Sequence, residues 1–196
     1  MKLYGAILLD PAWQFRVYTR DTGTGRSAES HYPTMSLDAL KALPVPDIMA
    51  KNCAVFMWAT FPTLPEALEL GRAWGLEYKT CAFLWAKTNR RAGLWQPWRD
   101  PSVWFMGMGS WTRANTEPCL LFTRGSPKRK SRGVRQLVID RIREHSRKPD
   151  CVHERIMQLV DGPYAELFAR QTRAGWDCYG FDIDGRNLRD SLRGAA

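Results

Sequence analysis

The chain opens on an apolar run, residues 3–9, that breaks at Asp10-Pro11, where proline can neither donate to a strand ladder nor continue one. A run this short, bounded by a turn signal, reads as a buried strand. Similar runs recur at 54–59, 77–85, 119–123, 164–168 and 176–180, with a shorter, partly β-branched one at 137–142. Between them the pattern turns helical. Ser36 is placed to cap a helix over 37–43, which Pro44-Val45-Pro46 closes. Residues 63–74 carry Leu64, Ala67, Leu68 and Trp74 on one side and stop at Gly75, and 149–160 begins with Pro149 in a first turn. Strands alternating with helices at this spacing predict a three-layer α/β fold around a mostly parallel sheet. Ligands of such folds bind beyond the carboxyl ends of the strands, which directs attention to residues 10–13, 87–117 and 170–173.

With 196 residues, 44% apolar and 25% charged, the chain has the composition of one globular domain. That domain is expected over 1–185, with 186–196 a polar, frayed tail. No apolar run approaches the roughly 20 residues that cross a bilayer, and Asp10 comes too early for a signal peptide, so a cytoplasmic protein is expected, with no membrane partner. Five scattered cysteines without a CxxC pair and three histidines (His31, His145, His153) at no ligand spacing predict reduced thiols and no metal. Two glycine patterns are discounted: Thr22-Gly23-Thr24-Gly25-Arg26-Ser27 lacks the phosphate-loop lysine, and Gly107-Met108-Gly109 lacks the third glycine of a dinucleotide fingerprint.

Charge is concentrated. Residues 124–148 hold ten bases against Asp140 and Glu144, a segment charge of +8 in a chain whose formal net charge is +9. Such a run is either a solvated loop or a contact for phosphates, Lys128-Arg129-Lys130 being its densest part. Four of the nine tryptophans (Trp95, Trp98, Trp104, Trp111) fall within 92–113, a stretch without period. They serve packing or stack on something flat, such as a base.

Asp10-Pro11-Ala12-Trp13 is the sharpest feature. A ring-attached exocyclic amino group is a poor nucleophile because its lone pair is delocalised. A carboxylate and a backbone carbonyl accepting its two N–H bonds would localise that pair, while an aromatic side chain stacks on the base. A methyl group on a sulfonium could then be attacked in line. The bland reading, a strand-ending turn with a satisfied carboxylate, fits the same four residues.

These residues resemble the Asp/Asn-Pro-Pro-aromatic motif of amino-methyltransferases that use S-adenosylmethionine. Further segments resemble one branch, the N6-adenine methyltransferases related to the catalytic subunit of the messenger-RNA adenosine methyltransferase. They are His31-Tyr32-Pro33-Thr34-Met35-Ser36, Val55-Phe56-Met57-Trp58-Ala59-Thr60, Leu84-Trp85-Ala86-Lys87-Thr88, the stretch from Gly107 to Glu117, Ser146-Arg147-Lys148-Pro149-Asp150, and Glu166-Leu167-Phe168-Ala169-Arg170 followed by Gly175-Trp176. Order and spacing agree over about residues 3–185.

The resemblance implies a Rossmann-like methyltransferase of permuted, β-class-like motif order, with the catalytic motif ahead of the cofactor segment. Asp10 and the Pro11 carbonyl would hold the target amino group, beside Ala12, with Trp13 stacking. Tyr32, Lys87, Trp111, Asn115 and Glu117 would shape the adenine pocket. Asp10, Lys148, Glu166, Arg170, Thr172 and Arg173 would surround S-adenosylmethionine, where a lysine or arginine suits the cofactor carboxylate and a glutamate its hydroxyls or ammonium. Glu166 with Arg170 could equally be a surface pair, and Lys148 a helix cap.

Two departures stand out. Ala12 replaces the second proline, and Phe181 stands where many relatives have asparagine. Only nine residues precede Asp10, so the cofactor adenine is expected to be held by the C-terminal strands. The compact form resembles the bacterial and phage members, which implies DNA in preference to RNA as partner and a monomer or homodimer. The rivals are an RNA adenosine methyltransferase, a cytosine amino-methyltransferase and a silent nucleic-acid-binding subunit. Lys128, Arg129 and Lys130 are expected to contact phosphate.

Overall fold

The computed structural model describes residues 2–14, 34–93, 98–107, 109, 111–144 and 147–195. Seven strands form one sheet: β1 (Tyr4–Leu9), β2 (Met49–Trp58), β3 (Glu77–Thr88), β4 (Thr116–Arg124), β5 (Leu137–Arg141), β6 (Tyr164–Leu167) and β7 (Trp176–Tyr179). Their order across the sheet is β5-β3-β4-β2-β1-β6-β7. The expected strands are all present, and β2, β3 and β4 are longer than their apolar runs.

Four of the six pairings are parallel: β1 with β2 and β6, β6 with β7, and β3 with β5. β4 runs against both of its neighbours, β2 and β3. This reversal decides where the later residues fall. Glu117, early in β4, pairs with Trp85 near the carboxyl end of β3, whereas Arg124, its last residue, pairs with Cys53 in the first half of β2. The chain therefore leaves β4 at the amino-terminal rim, about 23 Å from Glu117 at 3.3 Å per residue. It returns along β5, whose Arg141 pairs with Thr88 at the carboxyl rim.

Both faces of the sheet are covered, as the apolar content of the central parallel strands requires. On one, Ile7, Leu9, Val55 and Met57 pack with Leu40 of α1 (Leu37–Lys41) and with Ala67 and Leu70 of α2 (Leu64–Ala73). On the other, Leu8, Ala54, Phe56 and Trp58 meet Val152 and Ile156 of α3 (Cys151–Leu159). The Ser36 side chain accepts from the Ala39 N–H at 3.2 Å, capping α1 as expected. Gly75 ends α2 at φ 72°, a left-handed conformation that costs glycine no side-chain clash.

The expectation of a frayed tail is corrected. Phe181–Asp184 form α4 and Leu188–Ala195 form α5, whose Leu188 and Leu192, one turn apart, are 7% and 1% exposed in the first core. Asn187 caps α5 by accepting from the Asp190 N–H at 3.0 Å, and Ser191 Oγ donates to Asp184 at 2.9 Å. Two leucines spaced four apart suffice to commit a polar stretch to one face of a sheet. Among the described residues no helix is long and apolar enough to cross a membrane.

Candidate functional site

β1 delivers Asp10 to the carboxyl rim, and Pro11 ends the ladder there. The Pro11 carbonyl accepts from the Trp13 N–H at 2.8 Å, and the Ala12 carbonyl from the Met35 N–H at 2.8 Å. Trp13 itself turns inward. Its indole Nε1 donates to the Trp58 carbonyl at 3.2 Å, and the residue is 7% exposed within the first core. The expected stacking face of Trp13 is thus packed inside the fold, because the carbonyl at the end of β2 supplies the acceptor that a buried indole N–H requires.

Asp10 begins a line of alternating charges. Lys148 Nζ lies 2.7 Å from Asp10 Oδ2 and 3.0 Å from Glu117 Oε1, and Lys87 Nζ lies 2.7 Å from Glu117 Oε2. The Glu117 side chain is 5% exposed and that of Lys148 12%, so each charge depends on its neighbours for what water would supply. Burial opposes the charge on Lys148, yet Asp10 and Glu117 together outweigh it and hold the ammonium pKa above its ordinary value. Burial would raise Glu117, but Lys148 and Lys87 outweigh it and hold this carboxyl below the usual range. Asp10 shares its lysine with Glu117 and is pushed up by burial and by the Glu117 charge, against the pull of Lys148 and Arg170.

Beside Asp10 lies a groove of about 200 Å³, walled by α3 and the loops after β6. Glu166 of β6, Arg170 and Arg173 line it with Lys148. Phe168 adds an aromatic wall at φ 61°, a left-handed conformation that costs a non-glycine residue about 1–2 kcal/mol. Glycine holds this seam closed from the other side. Ala169 N–H donates to the Tyr179 carbonyl at 2.9 Å, and a Cβ on Gly180 would lie 2.1 Å from the Ala169 oxygen.

Asp150, just ahead of α3, gathers three guanidinium groups. Arg173 approaches at 2.5 Å and Arg147 at 2.9 Å; Arg143 binds the same carboxylate and also Asp140 at 2.9 Å. Burial would raise the Asp150 pKa, but the bonds from Arg173, Arg147 and Arg143 hold it well below the carboxylate range.

Other expected residues are placed differently. Thr172 is exposed and does not line the groove. Asn115 contributes its carbonyl, which accepts from the Lys87 N–H at 2.8 Å, and Trp111 is 98% exposed on the approach to β4. Tyr32 lies outside the described residues. The structure does not bring Lys128, Arg129 and Lys130 to the groove. Arg129 bridges Val160, and Lys130 binds Asp161 at 3.0 Å and the Met157 carbonyl at 3.2 Å, all ahead of β6 at the amino-terminal rim. The reversed β4 carries them there.

Sequence reasoning missed Asp150, His153 and Phe168 as groove residues. Asp150 and Phe168 lie within motifs that carry the family resemblance, which is a usable signal. His153, Nε2 2.8 Å from Glu166 Oε2, gave none beyond its place three residues into a helix start.

The donor set suits a zwitterionic, nucleoside-bearing ligand: Glu166 can accept from hydroxyls or an ammonium, Lys148, Arg170 and Arg173 can meet a carboxylate, and the buried Arg173 Nε finds no partner among the described residues.

Residues 4–182 match the MT-A70 family. The chain is 32% identical over 210 residues to the type II methyltransferase M.MunI of a Mycoplasma species, covering 98% of this chain and 83% of that protein. It is 28% identical over 200 residues to the N(6)-adenosine-methyltransferase MT-A70-like protein of Arabidopsis thaliana, covering 97% and 25%. It is 27% identical over 195 residues to the N(6)-adenosine-methyltransferase subunit METTL3 of Danio rerio, covering 95% and 29%. The chain spans most of the first relative and about a quarter to three tenths of the other two.

Proposed function

The chain belongs to the MT-A70 family, and from that premise we propose that it is an S-adenosylmethionine-dependent methyltransferase acting on N6 of adenine in DNA, with the permuted motif order of the β class. The observation that carries this reading is Asp10. It is a carboxylate at a strand end, anchored by Lys148 and opening on a groove whose charges suit the cofactor. A near-full-length match to a type II methyltransferase supports DNA.

Asp10 and the Pro11 carbonyl accept the two N–H bonds of the target amino group. That carbonyl already serves the Trp13 N–H and keeps its second lone pair for the substrate. Drawing both hydrogens toward acceptors localises the nitrogen pair and aims it into the groove. Glu166 and Arg170 would hold the cofactor there, with Arg173 beside them. S-adenosylmethionine, when bound, supplies the electrophilic methyl on its sulfonium. Methyl transfer would leave positive charge on the nitrogen, which the Asp10 carboxylate is placed to offset. Its raised pKa suits it to take the proton that the nitrogen then releases. Lys148 holds the carboxylate in position, and Glu117 with Lys87 holds Lys148.

A second reading, an RNA adenosine methyltransferase, is favoured by the adenosine-methyltransferase relatives. One experiment decides. The protein is incubated with S-adenosylmethionine and duplex DNA, single-stranded DNA or RNA, each is digested to nucleosides, and methylated products are read by mass spectrometry. N6-methyldeoxyadenosine is expected; methylated adenosine from RNA alone would select the second reading, and no product from any sample would refute both.

A further inference from the structure

We propose that His153 is a positioning residue of the cofactor groove, fixing Glu166 as a hydrogen-bond acceptor with one carboxylate oxygen left for the ligand. The inference rests on the reading of Glu166 as a cofactor contact.

His153 projects from the buried side of α3 and is 5% exposed, yet it reaches the groove wall. Its Nε2 lies 2.8 Å from Glu166 Oε2, whose side chain is 21% exposed and lines the same groove. Its other ring nitrogen, Nδ1, is buried and finds no partner among the described residues. A buried N–H without an acceptor is costly, whereas an unused lone pair is less so, which assigns the ring proton to Nε2 and makes the histidine the donor. Trp176 packs edge to face against the same ring, the centroids 4.9 Å apart.

Glu166 needs such a hold. Arg170 and Arg173 line the groove with it, and a carboxylate free to rotate would turn toward either guanidinium. The His153 bond ties down Oε2, and Oε1 retains its lone pairs for the hydroxyls or ammonium of the ligand. Orientation of a first contact by a buried partner is the device by which sites keep their geometry.

The test uses the full chain and three substitutions, with cofactor affinity measured calorimetrically and steady-state kinetics on the DNA substrate. His153→Leu keeps bulk but removes the donor; His153→Gln places an amide N–H near the position of Nε2. The expected result is about 10-fold weaker binding of S-adenosylmethionine in His153→Leu, as for loss of one bond to a charged group, with restoration in His153→Gln. The effect should fall on the cofactor KM and leave kcat at saturating cofactor nearly unchanged. Equal loss in both variants, or a fall confined to the melting temperature, would reduce His153 to packing and overturn the proposal. Glu166→Gln separates the two layers. If it leaves cofactor affinity intact, the reading of Glu166 is what fails; if it weakens affinity while His153→Leu does not, the positioning role alone is lost.

Discussion

The two rims of the sheet carry positive charge in opposite ways. At the carboxyl rim Lys87, Lys148, Arg143, Arg147 and Arg173 each meet a carboxylate from Glu117, Asp10, Asp140 or Asp150. At the amino-terminal rim residues 124–135 hold six bases, with Lys130 tied to Asp161 and Arg124 donating to the Pro46 carbonyl at 2.8 Å. Charge is denser along the chain in the second region, but the groove lies in the first. Paired, half-buried charges are held in geometry by the fold, while an exposed run mainly sets the field around the molecule.

Substitutions that break the pairing should therefore cost most where the charges are buried. Glu117→Ala leaves Lys87 and Lys148 without their shared carboxylate and should destabilise the protein by about 3–5 kcal/mol, read by urea unfolding. A loss below 1 kcal/mol would mean that water or a rearranged lysine replaces Glu117. Asp10→Ala keeps the Lys148–Glu117 pair, so the fold should persist while methyl transfer falls by about 10²–10³-fold or more. Retained turnover in that variant would end the proposed mechanism.

The arginine cluster offers a milder contrast through pH. Asp150 has a folded-state pKa below its unfolded value, so its contribution is present above about pH 4 and is lost as pH falls further through the folded value. Its side chain is 36% exposed, and solvent screening keeps the effect to about 1 kcal/mol. Asp150→Asn should flatten the acid limb of the stability curve below pH 4 and leave its slope near neutrality unchanged. The smallest effect belongs to the other rim. Neutralising Lys128 and Arg129 should leave KM for an oligonucleotide short enough to cover only the carboxyl rim unchanged, and lower the salt dependence of binding only for longer duplexes. A raised KM with the short substrate would erase the distinction between the rims.

Much of this arrangement is legible in the amino-acid sequence, for identifiable reasons. A strand that stops on Asp10-Pro11, a serine ahead of Leu37 and a glycine after Trp74 are local signals read within a few residues, and the structure uses each as written. Strand direction is not local. Nothing in the apolar run at 119–123 says that β4 is reversed, so the bases after it look continuous with Lys148 when the sheet divides them between two ends. Trp13 fails for a related reason: stacking and burial ask for the same residue, and only the carbonyl of Trp58, 45 residues away, decides between them. The last helix hides behind its composition, since Leu188 and Leu192 are two apolar residues in a stretch otherwise polar or small. His153 carries no spacing signal at all, because its partner Glu166 arrives from another element.

The contact between Gly180 and Ala169 has a consequence for how this site can change. Exchanging a side chain around the groove changes its charge or shape and leaves the backbone spacing of the wall in place. Position 180 has no such latitude, since even a methyl group there would meet the Ala169 carbonyl at 2.1 Å and push the β6 loop away from β7. Phe168 and Arg170 flank Ala169 and would move with it as one body. The spacing of the groove wall is thus held by the absence of a single carbon atom, a setting that selection can keep or lose but not tune.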